Sequence, residues 1–234
     1  MNQSAFVGVS LDSNQFSRTW VRGAISHILS KHADLQFVLA DRLLTYNKTI
    51  HRDNGSSTLD FLSASERIEK RKKDIFQFLT SEISRLPGED RPRVHVATWD
   101  DYSDVYYANL SRALRIAYIA LPAFRLCVEY DVEAHLIKHV GRHDEGEIDR
   151  SLCASYVLDE TAMIIRVTEL AKKPFDYYPQ EQIETLQCLY EGRFSAIGLS
   201  VEGLLGHPKT RVFSALRLPD RSPSEAVEVD LKLL

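Results

Sequence analysis

Short apolar runs alternating with stretches of helical periodicity constrain this chain more than any other feature. Phe6-Val7-Gly8-Val9, Leu35-Gln36-Phe37-Val38-Leu39-Ala40 and Arg93-Val94-His95-Val96-Ala97-Thr98-Trp99 each read as a strand, being short and rich in β-branched and aromatic residues. Between the first two lies Phe16 to Lys31, with Phe16, Trp20, Val21, Ala24, Ile25, Ile28 and Leu29 at helical spacing and Arg18, Arg22 and Lys31 off that stripe. Between the second and third, a helix from Leu59 to Leu86 carries Ile68, Ile75, Phe78, Leu79 and Ile83 and stops at Pro87-Gly88. Strands separated by helices pair in parallel, because the chain must cross over before it re-enters the sheet in the same direction. The expected fold is therefore α/β, a Rossmann-like parallel sheet flanked by helices.

The remainder continues the pattern. A helix runs through Leu110, Leu114 and Tyr118, and Pro122 starts another that reaches Val140. Gly141 to Gly146 reads as a polar hinge, as Asp53 to Ser57 reads as a loop. Glu147 to Lys172 is apolar nearly all round, which predicts a buried helix. Phe175 to Pro179 is extended, since the residue before a proline is pushed out of the helical region. A helix through Ile183, Leu186, Leu189 and Tyr190 and a last strand over Arg211 to Leu218 follow.

At 234 residues we read one domain, 1–234, of which 219–234 is a loose tail. No apolar stretch approaches the ~20 residues that span a bilayer. Met1 to Ser4 lead into the first strand without a charged, apolar leader, so the expectation is a cytoplasmic protein with no membrane partner. Cys127, Cys153 and Cys188 are isolated in sequence and read as reduced core thiols. The formal net charge of −4 opposes a global attraction to nucleic acid but not a local basic patch.

Candidate chemistry begins at Ser10. It follows the first strand directly, where an open parallel sheet binds its ligands, and Ser13 or Asn14 is placed to cap the next helix. Tyr156 and Glu160 stand one turn apart on one face of the apolar helix. That pair reads either as a hydrogen bond tying core to surface or as an acid and a phenol lining a pocket. Arg67, Lys70 and Arg71 share a helix face that Lys72 and Lys73 widen, which by itself is a solvated face. Neither a Gly-x-Gly-x-x-Gly nor a Walker-type loop is present, so no cofactor is expected, and Ser10 lacks a Gly-x-Ser-x-Gly elbow. His135, His139 and His143 have ligand spacing but no carboxylate at the metalloprotease position, and no metal is expected.

Gly8-Val9-Ser10, the Tyr156-x-x-x-Glu160 spacing and Tyr178-Pro179, in this order over nearly the whole chain, resemble the cyclodipeptide synthases. That family is similar in fold to the catalytic domains of class I tyrosyl- and tryptophanyl-tRNA synthetases but lacks their ATP signatures, as this chain does. The resemblance implies an enzyme that joins the aminoacyl groups of two aminoacyl-tRNAs into a cyclic dipeptide, a 2,5-diketopiperazine. The reaction would be ping-pong, through aminoacyl- and dipeptidyl-enzyme esters on Ser10. Tyr156 and Glu160 match the pair that holds the bound amino group, and Tyr178 the tyrosine that positions the intermediate and is proposed to relay a proton. Ser13, where one branch has asparagine, and Pro179 after the tyrosine look like the branch with proline at that place. The resemblance also turns Arg67, Lys70, Arg71, Lys72 and Lys73 into an expected tRNA acceptor-stem site.

The pocket behind Ser10 is expected to have walls from Val7, Gly8 and Leu39, with Gly8 small to leave room beside the nucleophile. An apolar wall favours hydrophobic aminoacyl groups. Two other functions fit the same residues: a non-catalytic tRNA- or nucleotide-binding Rossmann-like module, indifferent to loss of Ser10, and a serine acyltransferase or esterase, which needs a general base near Ser10.

Overall fold

The structure, a computed structural model, describes residues 3–11, 16–41, 58–140, 150–178 and 183–216; the side chains of 58–65, 135, 137–140 and 178 fall outside the description. The expectations for Ser13, Pro179, the 53–57 loop, the 141–146 hinge and the 219–234 tail lie outside the described residues. Five strands form one sheet: β1 (Ala5–Val9), β2 (Leu35–Leu39), β3 (Val94–Thr98), β4 (Phe175–Tyr178) and β5 (Val212–Ala215). Their order is β3-β2-β1-β4-β5 and every pairing is parallel. Helix α1 (Arg18–Leu29) joins β1 to β2 and α2 (Thr58–Ser84) joins β2 to β3. Helices α3 (Val105–Ala120), α4 (Pro122–Val140) and α5 (Arg150–Ile165) lie between β3 and β4, and α6 (Glu184–Glu191) and α7 (Val201–Leu205) between β4 and β5.

Period-two alternation along the strands divides the core into two layers. Ala5, Val7 and Val9 of β1, with Leu35, Phe37 and Leu39 of β2, pack under α1 and α2. Phe6, Val38 and Ala97 point the other way, into a larger core formed with α3 to α7. Helix α5 is buried on most of its circumference, as its all-round apolar sequence predicts. Its buried Asp159 is matched by Ser111 Oγ at 2.7 Å and Arg115 Nη2 at 2.9 Å, both from α3. No helix among the described residues is long and apolar enough to cross a membrane.

Several expectations are corrected. The cap of α1 is Ser17, whose hydroxyl accepts from Trp20 N, because the helix starts later than Ser13 or Asn14 would place it. The helix expected to run unbroken to Lys172 changes at Arg166–Leu170 into a π turn. Within that turn Arg166 grips Asp104, the N-cap of α3, at 2.6 Å and 3.0 Å. Buried Glu169 accepts from Thr210 N at 2.9 Å, Thr210 Oγ1 at 2.9 Å and Tyr190 OH at 3.1 Å. Tertiary partners on both sides thus act on a segment whose own sequence favours a plain helix. The cysteines are not all isolated either: α4 and α6 bring Cys127 Sγ and Cys188 Sγ to 2.9 Å, although 61 positions separate them.

Candidate active site

The sheet's strand order reverses between β1 and β4, and in parallel sheets such a switch point opens a crevice at the carboxyl ends of the strands. Ser10, the first residue after β1, stands at that crevice and lines a pocket of about 620 Å³, its open mouth included. Phe6 and Gly8 enter from the same face of β1, and Val38 and Ala40 from β2 and its end. Helix α5 and its π turn supply Glu160, Met163, Ile164 and Val167. Trp99, Ile183 and Leu186 extend the apolar wall, and Asp176, Arg211 and Phe213 come from β4 and the β5 region.

Two of the expected walls are displaced. Val7 and Leu39 are fully buried in the layer beneath α1 and α2, on the opposite face from the pocket. Side chains alternate along a strand, so Val7 and Gly8 do not share a face. The wall is instead Gly8 with its register partner Val38, and Ala40 beyond.

Ser10, Gly8 and Glu160 therefore meet in one pocket, while Tyr156, half-buried one turn before Glu160 on α5, is not among the residues lining it. Tyr178 ends β4, with its backbone in register with Ala215 of β5 and one residue beyond the Val7 and Tyr177 pair. Arg166 and Asp104 hold the C-terminal end of α5 against the start of α3, which fixes the wall that carries Glu160. The Asp104 carboxyl is held below the usual carboxylate range by the hydrogen bonds from Arg166.

The basic band on α2 divides. Arg67, Lys70 and Lys73 are exposed or half-exposed. Arg71 Nε donates to Leu11 O at 3.0 Å, bracing the segment just after Ser10. Lys72 Nζ lies 2.6 Å from Asp41 Oδ2 and 3.7 Å from Asp100 Oδ2. Burial draws the Lys72 ammonium down, but the Asp41 carboxylate outweighs it and the net shift is upward. Asp41 also accepts from Trp99 N at 3.1 Å, so this pair ties α2 to the chain leaving β3. Arg71 and Lys72 thus hold the frame, and the outward charge of the band is that of Arg67, Lys70 and Lys73.

The sequence reading missed Asp176 and Arg211. Both side chains are 4% exposed, with Arg211 Nη2 at 2.5 Å and Nε at 3.1 Å from Asp176 Oδ2. Desolvation pushes the Asp176 carboxyl up and Arg211 opposes that push. The signal available was an aspartate alternating with aromatics in a short strand, and an arginine just before the last strand. A set of three ligand-type residues also emerged away from the pocket lining: donor atoms of Cys127, Cys188 and Glu184 lie within 4.8 Å of one another. Glu184 is committed to Arg193 at 2.7 Å, and burial pushes both thiols up, toward the protonated form that does not bind metal.

No protein-family model matches the chain, and no curated protein matches it either. Solved structures do. A cyclodipeptide synthase from Bacillus thermoamylovorans superposes with a TM-score of 0.68 at 14% identity, over 91% of this chain and 87% of that one. A Mycobacterium tuberculosis protein, described as showing that cyclodipeptide synthetases are related to type I tRNA synthetases, gives 0.64 at 19% identity over 81% and 78%. A cyclodipeptide synthase from Candidatus Glomeribacter gigasporarum, solved bound to Phe-tRNAPhe, gives 0.61 at 18% identity over 95% and 91%. With a doubly flanked parallel sheet in the order β3-β2-β1-β4-β5, the chain has the fold of the cyclodipeptide synthases.

Proposed function

We propose that this chain is a tRNA-dependent cyclodipeptide synthase that uses two aminoacyl-tRNAs and no ATP. The observation that carries the reading is the convergence of Ser10 and Glu160, 150 positions apart, in one pocket at the switch point of a sheet with this fold. A hydroxyl and a carboxylate among apolar walls suit an aminoacyl group: the ester carbonyl meets the hydroxyl and the ammonium meets the carboxylate.

In the first step Ser10 Oγ attacks the ester carbonyl of an aminoacyl-tRNA. The Oγ–carbon bond forms, the bond to the ribose oxygen breaks, and the serine proton ends on that oxygen as free tRNA leaves. The vicinal ribose hydroxyl is a candidate carrier for that proton, since no histidine is among the described residues that line the pocket. Glu160 holds the α-ammonium as counter-charge, with Tyr156 assisting from the preceding turn, and then accepts the proton that must leave before the nitrogen can attack. The freed amine of the Ser10-bound aminoacyl group attacks the ester carbonyl of a second aminoacyl-tRNA: the amide bond forms, the bond to the ribose oxygen breaks, the second tRNA leaves with a proton on that oxygen, and a dipeptidyl ester remains on Ser10. Its terminal amine closes on the Ser10 ester, forms the second amide and returns the proton to Oγ. Tyr178 is assigned to positioning the dipeptidyl ester and relaying its proton, and Ser13 and Pro179 to the substrate pocket.

The outward Arg67, Lys70 and Lys73 are the groups proposed to meet the tRNA phosphates, with Arg71 and Lys72 fixing the helix that presents them. Mass spectrometry of medium from cells expressing wild type and Ser10→Ala tests the whole reading. A diketopiperazine made by wild type and not by the variant is expected. Soluble wild-type protein that makes none, even when supplied with varied charged tRNAs, overturns it in favour of a binding module.

A further inference from the structure

Among the described residues that line the pocket, hydroxyl and charged side chains stand at two places. One is Ser10 with Glu160, accounted for above; the other is the Asp176–Arg211 pair, which that chemistry does not use. Each of these two side chains is more than nine-tenths buried, yet both belong to the pocket lining. Arg211 gives Nε and Nη2 to a single oxygen, Asp176 Oδ2. Asp176 Oδ1 and Arg211 Nη1 take no part in these two hydrogen bonds. A ligand that covers this acceptor and this donor without matching them loses the hydrogen bonds that water makes there.

The pair is also held in place more firmly than a chance ion pair would be. The guanidinium sits against the Tyr190 and Phe213 rings, 5.2 Å from each centroid. Buried Glu169 fixes the preceding residue, Thr210, through both its backbone N and its hydroxyl. Asp176 is in register with Phe6 of β1 and Phe213 of β5, so it projects from the middle of the sheet on the pocket side.

We infer that Asp176 and Arg211 form a polar subsite for the side chain of the first aminoacyl group, and that this side chain is neutral with an apolar body and a tip that both donates and accepts hydrogen bonds. A phenol or a carboxamide has that chemistry: its O–H or N–H reaches Asp176 Oδ1 and its oxygen accepts from Arg211 Nη1. An aliphatic or phenyl group leaves both protein groups unsatisfied. A charged side chain meets a pair that is already neutral and leaves one net charge buried. This replaces the expectation of a purely hydrophobic aminoacyl group, and it rests on the proposed function.

Intact-protein mass spectrometry tests it without any variant. Wild-type enzyme is mixed with one purified aminoacyl-tRNA at a time: tyrosyl, asparaginyl, glutaminyl, phenylalanyl, leucyl, lysyl and glutamyl. The sum of Ser10-bound aminoacyl ester and released cyclic product is read. Tyrosyl or a carboxamide aminoacyl group is expected to load at least about 100-fold faster than phenylalanyl or leucyl, since sites built to hydrogen-bond a substrate group reject analogues lacking it. Equal or faster loading of phenylalanyl or leucyl, or preference for lysyl or glutamyl, overturns the subsite while leaving the synthase reading intact. No loading from any of the seven overturns both. The double variant Asp176→Leu with Arg211→Met, which leaves no lone charge, is expected to invert the tyrosyl over phenylalanyl preference; an unchanged preference in the folded double variant also overturns the subsite.

Discussion

Replacing Arg211 with methionine isolates what the buried pair contributes to stability. Methionine keeps an apolar stem against Tyr190 and Phe213 but leaves the Asp176 carboxylate, 4% exposed, without its two N–H donors. Breaking one side of such a pair costs about 3–5 kcal/mol. At about 2–4 °C per kcal/mol for a domain of this size, Tm at neutral pH falls by roughly 6–20 °C. The loss depends on pH. Burial already raises the Asp176 carboxyl above its usual value of 3.8, and Arg211 is the group that pulls it back. A folded-state pKa above the unfolded one means that stability is full below the unfolded value and declines as pH rises through the folded value. Removing Arg211 moves the folded value higher still, so the variant's deficit is largest near neutral pH and shrinks as pH falls toward the ordinary carboxylate range. Thermal unfolding followed by circular dichroism at about pH 7.5 and about pH 5 measures both effects. Adding Asp176→Leu to Arg211→Met removes the stranded charge and recovers most of the lost stability. A deficit that does not change with pH, or a double variant no more stable than Arg211→Met, contradicts this account of the pair.

Glu82 has no exposed side-chain area and holds Arg18 at 2.9 Å, Arg22 at 2.7 Å and also Arg85. Glu82→Gln is expected to lower urea stability by about 2 kcal/mol, less than a sealed pair would lose because the three arginines stay hydrated; no change in urea midpoint counts against a structural role for that cluster. Lys72→Ala, which strands Asp41 at 5% exposure, lowers Tm, whereas Lys70→Ala with Lys73→Ala leaves Tm unchanged. The same double variant weakens tRNA binding and reduces the slope of log K against log salt by about 0.7–0.9 for each phosphate no longer neutralised; filter binding at several salt concentrations reads it. Gly8→Val places a branched side chain beside Ser10 and is expected to reduce diketopiperazine output by about 100-fold with an unchanged far-ultraviolet spectrum.

Local pattern was enough for most of the framework. The runs at Phe6, Leu35 and Val94 became parallel strands because each is too short for a helix and is followed by helical periodicity, and the all-round apolar 150–165 stretch became the buried helix α5. Ser10 and Glu160 were legible for different reasons: one follows a strand end, and the other is a carboxylate where only apolar residues are expected. Pocket walls were less so. Choosing Val7 beside Gly8 overlooked the alternation that sends neighbouring side chains to opposite faces, and Leu39 followed the same error through its pairing with Val9. The basic band looked uniform along α2, and only the approach of Leu11 and Asp41 from other segments showed which charges are engaged at home.

Hydrophobic periodicity and helix stops act over a few residues, so the strands, the helices and their parallel alternation were written locally. A serine just past a strand end and a glutamate on a buried helix were written there too. Strand order, and with it the switch point between β1 and β4 that opens the pocket, came from packing of the whole chain. So did the meeting of Asp176 with Arg211, of Cys127 with Cys188 and of Glu169 with Thr210. These pairs join segments 35, 61 and 41 positions apart, and the free energy that places a charge or a thiol there depends on burial and partners that no local window contains.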